Sequence, residues 1–304
     1  MYPAKVLLAV TVVSSLLLGC GADLQGDEAP VPLDTQSAAI AGGFDVRGSR
    51  LVPYMVSVQQ ELYGYTSHAC GGTLIGQGWV LTAAHCAYDA FTQTMPLPPS
   101  MLSVVIGDLD LVSVDPSARH AVTEVVIHPG FAPRLFDNDV ALLRVATAPR
   151  AALAYDREHS AAFPYADGLT LGWGMVTLTE VPPLPAPPAY LPPHFYGGSD
   201  QLQGLVVHSL STAECKSRFA ADEPEIAALV SDRHVCIASV LPGERGVCQG
   251  DSGGPLVVYD RRQREFVVAG VTSFGAHECG SSSHPQVFTR ISSFADFVHQ
   301  TTGF

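Results

Sequence analysis

Short apolar runs, each closed off by turn residues, constrain this chain most. They fall at residues 54–58, 78–81, 102–106, 122–127 and 140–145, and resume after Trp173 at 202–210, 256–259, 266–271 and 287–291. Runs of this length suit strands better than helices, and the 28 Gly and 23 Pro that punctuate the chain point the same way. Asp260-Arg261-Arg262-Gln263, between two runs, reads as a hairpin tip. The residues therefore predict an all-β chain of sandwich or barrel type, and 304 of them leave room for two lobes. Two helices are expected. Ser211-Thr212-Ala213-Glu214 has capping-box spacing, and Phe294, Phe297 and Val298 form one apolar stripe behind Ser292 and Ser293. The proline-dense segment 182–193, followed by Gly197-Gly198, predicts a stiff extended surface spacer; a polyproline ligand for a partner is the other reading.

The first residues read as an export signal. Lys5 supplies the positive charge and residues 6–18 are apolar, a run too short and too early for a comfortable membrane span. It ends in Leu17-Leu18-Gly19-Cys20, which resembles the lipobox of bacterial lipoproteins. That resemblance implies a signal peptide over 1–19 and a lipid on Cys20; an ordinary cleaved signal is the alternative. Residues 20–39 lack periodic apolar positions and read as a tether or propeptide. The expected location is a bacterial cell envelope, or the medium after cleavage. A net charge of -13 argues against a nucleic-acid partner. Setting Cys20 aside leaves Cys70, Cys86, Cys215, Cys236, Cys248 and Cys279, an even set that implies disulfides in an exported chain. Their spacing leaves 15 connectivities open. None shows C-x-x-C spacing, so no metal site is expected.

Chemistry concentrates around Ser252, in Cys248-Gln249-Gly250-Asp251-Ser252-Gly253-Gly254-Pro255. A serine hydroxyl is a poor nucleophile until a base takes its proton, and flanking glycines let backbone N–H groups approach a reacting carbonyl. The candidate base is His85, which follows an apolar strand and two small residues and adjoins Cys86. The candidate acid is Asp139 rather than Asp137, because Asp139 borders an apolar run directly.

These stretches, with Gly72-Thr73-Leu74-Ile75, resemble the chymotrypsin/trypsin family of serine endopeptidases, in the order His, Asp, Ser. The likeness spans Ile40 to the end. It implies one peptidase domain over 40–304, built as two six-stranded antiparallel β-barrels that divide near residue 165. A C-terminal helix and an active site between the barrels come with it. It implies that Ser252 attacks the scissile carbonyl, that His85 moves its proton, and that Asp139 orients the imidazole. The N–H groups of Gly250 and Ser252 would form the oxyanion hole, and Ser273, Phe274 and Gly275 would pair with substrate backbone. It further implies disulfides Cys70–Cys86, Cys215–Cys236 and Cys248–Cys279. Ile40 resembles the new N-terminus of cut family zymogens, whose α-ammonium would pair with Asp251. No cofactor is expected; the partners are protein or peptide substrates, and the enzyme is expected to be a monomer.

The specificity positions depart from the trypsin pattern. Gly246, followed by Val247, stands where trypsin-like members carry an acid, and Gln286 stands where many have glycine. Small or medium uncharged residues before the cut are expected, as in elastase-like enzymes. Arg245 reaching in to favour acidic groups is the alternative. Asp108, Asp110 and Asp115 are read as solvated acids; some family members bind calcium in the matching loop, but the spacing here is a poor copy. Two rival functions compete with this reading. A catalytically inactive homologue that binds proteins would usually lack a triad member, and none is missing. An esterase of α/β-hydrolase type needs a histidine after the serine, whereas His85 precedes Ser252.

Overall fold

The computed structural model describes residues 40, 42–89, 93, 95–147, 151–158, 164–175, 189–191, 197–276 and 279–304. The signal, the tether, Cys20 and most of the proline-dense segment lie outside the described residues. After a short strand β1 (Phe44–Asp45), the first barrel is built from β2 (Met55–Leu62), β3 (Tyr65–Gly76), β4 (Trp79–Thr82), β5 (Leu102–Ile106), β6 (Arg119–Ile127) and β7 (Ala141–Val145). Its strands run antiparallel in the order β3-β2-β5-β6-β7-β4, and β4 closes the ring by pairing with β3. A two-residue strand β8 (Ala154–Tyr155) leads into the second barrel. That barrel uses β9 (Asp167–Gly172), then, after the short β10 (Ala189–Leu191), β11 (Gln203–Leu210), β12 (His234–Ser239), β13 (Pro255–Asp260), β14 (Glu265–Gly275) and β15 (Gln286–Arg290). It closes through β9–β11 pairing. The fold is thus two closed six-stranded antiparallel barrels with a short C-terminal helix.

Near-continuous burial marks these strands as core. In β5 every residue but Ser103 is buried, and in β7 every residue but Arg144 is buried. Leu74, Val80, Val104 and Leu142 belong to the first barrel's core; Leu205, Val235, Val258 and Phe288 belong to the second's. Burying a Val, Leu, Ile or Phe side chain contributes about 1.5–3 kcal/mol.

Helix α1 (Thr212–Phe219) begins where the capping box places it, with Ser211 Oγ accepting from Glu214 N at 3.2 Å. Helix α2 (Pro224–Leu229) follows, with proline in its first turn, where no N–H is needed. The terminal stripe is divided: Phe294 closes a 3₁₀ turn, and α3 (Ala295–Thr302) carries Phe297 and Val298. The chain's last residue returns to the first barrel. The Phe304 ring covers Gly76 of β3, where any Cβ would lie 3.0 Å from it, and Tyr155 Oη donates to the Phe304 carbonyl at 3.1 Å.

Candidate active site between the two barrels

His85 lies in a 3₁₀ turn (Ala84–Ala87) directly after β4, and a disulfide ties neighbouring Cys86 to Cys70 of β3. Asp139 stands two residues before β7 and is fully buried. Its carboxylate takes two bonds from one residue: His85 N donates to Oδ1 at 2.9 Å, and His85 Nδ1 pairs with Oδ2 at 2.8 Å. The second barrel grips the same residue. Ser273 Oγ donates to Asp139 Oδ2 at 2.5 Å, and Thr289 Oγ1 donates to the Asp139 carbonyl at 2.8 Å. A shift in the β14–β15 register falls at Ser273, as in a bulge that re-aims a side chain.

The electrostatics follow from this packing. Burial raises the Asp139 pKa, but the His85 charge and the hydrogen bonds from His85 and Ser273 outweigh it and hold the group below its ordinary value. Burial likewise opposes the His85 imidazolium; the Asp139 carboxylate overrides it, so the His85 pKa is raised. Asp137 is engaged elsewhere: Arg233 Nη2 donates to both of its carboxylate oxygens, at 2.7 and 2.9 Å.

Ser252 sits on the loop between Cys248, which is disulfide-bonded to Cys279, and β13. Gly250 adopts φ +95°, a conformation that favours glycine, and a Cβ there would press to 3.0 Å on Gly174 Cα. Asp251 points inward. Its Oδ1 accepts from Gly174 N at 2.9 Å and its Oδ2 from Cys248 N at 2.8 Å. Burial pushes its pKa up to about 7 despite those two donors. Ile40 is fully buried within the second barrel's core, beside Val247 in the same cluster.

His85 and Ser252 open on one cavity of about 400 Å³, lined also by Phe136, Val247, Ser273, Phe274, Gly275, His284 and Gln286. Gly246 is set behind this lining: a Cβ on it would meet the Gln286 amide at 2.5 Å. Gln286 thus occupies the space in front of Gly246. Its Nε2 reaches the His284 carbonyl at 3.5 Å, and its buried Oε1 has no hydrogen-bond partner among the described residues. Cys70, His85 and Cys86 bring potential ligand atoms within 4.8 Å of one another, but the two sulfurs are bonded together and cannot serve a metal. The third disulfide joins Cys215 of α1 to Cys236 of β12. The aspartates 108, 110 and 115 hold their own loop, accepting from the N–H groups of Asp110, Val112, Asp115 and Ser117.

Three contacts had no counterpart in the sequence reading. Phe136 meets His85 edge-on at 5.6 Å and Phe274 at 5.9 Å, with φ +49°. His68 Nε2 reaches the Gly250 carbonyl at 2.9 Å while its Nδ1 pairs with Ser57 Oγ at 2.8 Å. Burial lowers the His68 pKa to about 4, so at neutral pH Nε2–H donates to the carbonyl and Nδ1 accepts. Ser273 is the third, because its hydroxyl serves Asp139. The aromatic beside a turn, Phe136-Asp137-Asn138, was the one local signal; the His68 and Ser273 contacts span 182 and 134 residues.

A family model described as Trypsin matches residues 40–187 and 189–298. Among curated proteins, Trypsin-1 of Astacus astacus is 32% identical over 272 residues, covering 85% of this chain and 98% of that protein. Kallikrein 1-related peptidase b3 of Mus musculus is 28% identical over 304 residues, covering 94% and 97%. Transmembrane protease serine 5 of Homo sapiens is 32% identical over 273 residues, covering 87% of this chain and 52% of its own length.

Proposed function

The chain belongs to the trypsin family of serine proteases, and from that premise we propose that it is a serine endopeptidase working through an acyl-enzyme. One observation carries the reading. A fully buried carboxylate holds both the backbone and the ring of His85, and that ring opens on the same cavity as Ser252. In this reading Ser252 attacks the peptide carbonyl and His85 takes its proton. Asp139 stabilises the resulting imidazolium, and His85 then protonates the departing amine. The Gly250 and Ser252 N–H groups receive the negative charge that develops on the carbonyl oxygen. A fluorophosphonate probe tests it: the mature protein should take label on Ser252 and lose it in Ser252→Ala. A mature protein that neither labels nor cuts a denatured protein would instead be an inactive binding module.

The enzyme is made as a precursor and activated by a cut before Ile40. The support is that Ile40 and Asp251 are both buried and that the Asp251 carboxyl is costly to ionise alone. A freed α-ammonium would supply the missing charge. Mass spectrometry of the mature N-terminus checks this, and full activity from protein that still carries residues before Ile40 counts against it.

Small or medium uncharged residues precede the cut, because Gln286 fills the space that a longer side chain would need in front of Gly246. Dominant cleavage after Arg or Lys in a peptide library would refute this. Three disulfides suit an oxidising compartment. Among the described residues no helix is long and apolar enough to cross a membrane. Export, a lipid on Cys20 and a tether released by the activating cut complete the reading, and labelling with a fatty-acid analogue tests the lipid.

A further inference from the structure

Strand β10 rests on the start of one edge of β3. Along β3, one edge pairs with β2 from Tyr65 to Thr73. The opposite edge has three occupants in succession. Strand β4 pairs with it from Thr73 to Gly76, the Ser252 carbonyl accepts from Gly71 N at 2.7 Å, and β10 covers its start. There β10 runs parallel, matching Ala189 with Tyr65, Tyr190 with Thr66 and Leu191 with Ser67. Ala189 N donates to the Gly64 carbonyl at 3.1 Å. Tyr65, Thr66 and Ser67 are thereby paired on both sides.

The strand is anchored. Leu191 is 2% exposed, Tyr190 packs on the first barrel's core, and the Arg119 guanidinium stands 5.2 Å from the Tyr190 ring. Only His68, Ala69 and Cys70 remain between β10 and the nucleophile loop, and Ala69 is skipped by the β2–β3 register. At about 3.3 Å per residue that is about 10 Å of edge.

The cavity shared by His85 and Ser252 is lined by Ser273, Phe274 and Gly275 on the side that would hold the acyl portion of a substrate. The chain beyond the scissile bond then leaves over β3. We propose that β10 ends the leaving-group side of this site after about three substrate residues, so that the enzyme reads a short stretch past its cut. This inference rests on the endopeptidase reading and adds a limit to it. Residues further along gain no backbone hydrogen bonds, because the atoms they would meet are already used within the protein.

The experiment is a series of quenched fluorogenic peptides with one acyl side and one to six residues after the cut, assayed with the mature enzyme. The expected kcat/KM climbs to about the third residue and then stays level or falls. A continued rise through the fourth and sixth residues overturns the proposal. Ala189→Pro removes the backbone donor that reaches the Gly64 carbonyl, and Arg119→Ala loosens the anchor of β10. In either variant the longest peptide should gain about tenfold over wild type, the yield of one or two backbone hydrogen bonds. An unchanged length profile in both variants, with normal fluorophosphonate labelling, overturns the proposal as well. A small ester with no residues past the cut separates the two readings. Loss of ester hydrolysis in the wild-type enzyme would sink the endopeptidase assignment and this inference with it. Ester hydrolysis with steadily rising peptide rates would sink the inference alone.

Discussion

The two barrels supply the site by different means. From the first come His85 and Asp139, each beside a strand end, with a disulfide at the neighbouring Cys86 and two hydrogen bonds joining them. From the second comes Ser252, on a loop shaped by Gly250 at φ +95° and Gly253 at φ +77° around an inward-facing carboxylate. The first half is held by sheet pairing, a disulfide and a buried carboxylate whose charge its own neighbours already balance. The second depends on Asp251, whose ionisation in a dry interior is unfavourable unless a cation joins it. The difference teaches where control could act: the proposed base, His85, is built in advance, while the loop that carries Ser252 could be made conditional.

The largest effect should come from removing either reacting group. Ser252→Ala or His85→Ala should lower kcat about 10⁶-fold, and the double variant should be no worse than either alone. An additive loss would mean that the two halves do not act together. Asp139→Asn should cost about 10⁴-fold at neutral pH with little change in KM, read from steady-state kinetics. A loss confined to KM would show that the first half binds substrate and does not orient a base.

An uncut precursor, held by Ala39→Pro, should be about 10³-fold slower than the cut form. Its melting temperature should also report Asp251. A carboxyl with a folded pKa near 7 and an ordinary value of 3.8 binds more protons folded than unfolded across that window. Precursor stability should therefore fall as pH rises from about 4 to 7, and Asp251→Asn should flatten the fall. A precursor as active as the cut form, with no such slope, would erase the contrast between the halves.

Below the raised His85 pKa, kcat/KM should drop about tenfold per pH unit, with its midpoint above the ordinary value of 6.5. Asp139→Asn should move that midpoint down. The smallest effect belongs to His68. Its pKa is depressed to about 4, so the stability its neutral form contributes is complete above 6.5 and is lost as pH falls toward 4. Ser57→Ala should cost about 1 kcal/mol in denaturant melts at neutral pH.

Much of the fold could be read where burial alone shapes the residues. The run 102–106 coincides with β5, and 140–145 overlaps β7, because their apolar side chains enter a core. Strand β3 escaped notice because its first part, Tyr65-Thr66-Ser67-His68, is half-exposed and stabilised by backbone pairing on both edges, which leaves no apolar pattern. Helix α2 was hidden for a related reason, being six residues long with Ile226 its buried side chain. In the site, residues with strong local settings stood out, and the fold brings His85 against Asp139 and opens both His85 and Ser252 on one cavity. What could not be read was the sharing of Asp139 between barrels and the hold of His68 on Gly250, since both join chain segments far apart in order. A shortening of the pocket by Gln286 could be read from the resemblance; that its amide lies against Gly246 depends on where one side chain turns.

Finally, Phe304 is seated on Gly76 of β3. Its ring works as a buckle between the segment after α3 and the first barrel, and its main-chain oxygen is taken by Tyr155. Phe304→Ala would undo that buckle and leave Gly76 uncovered.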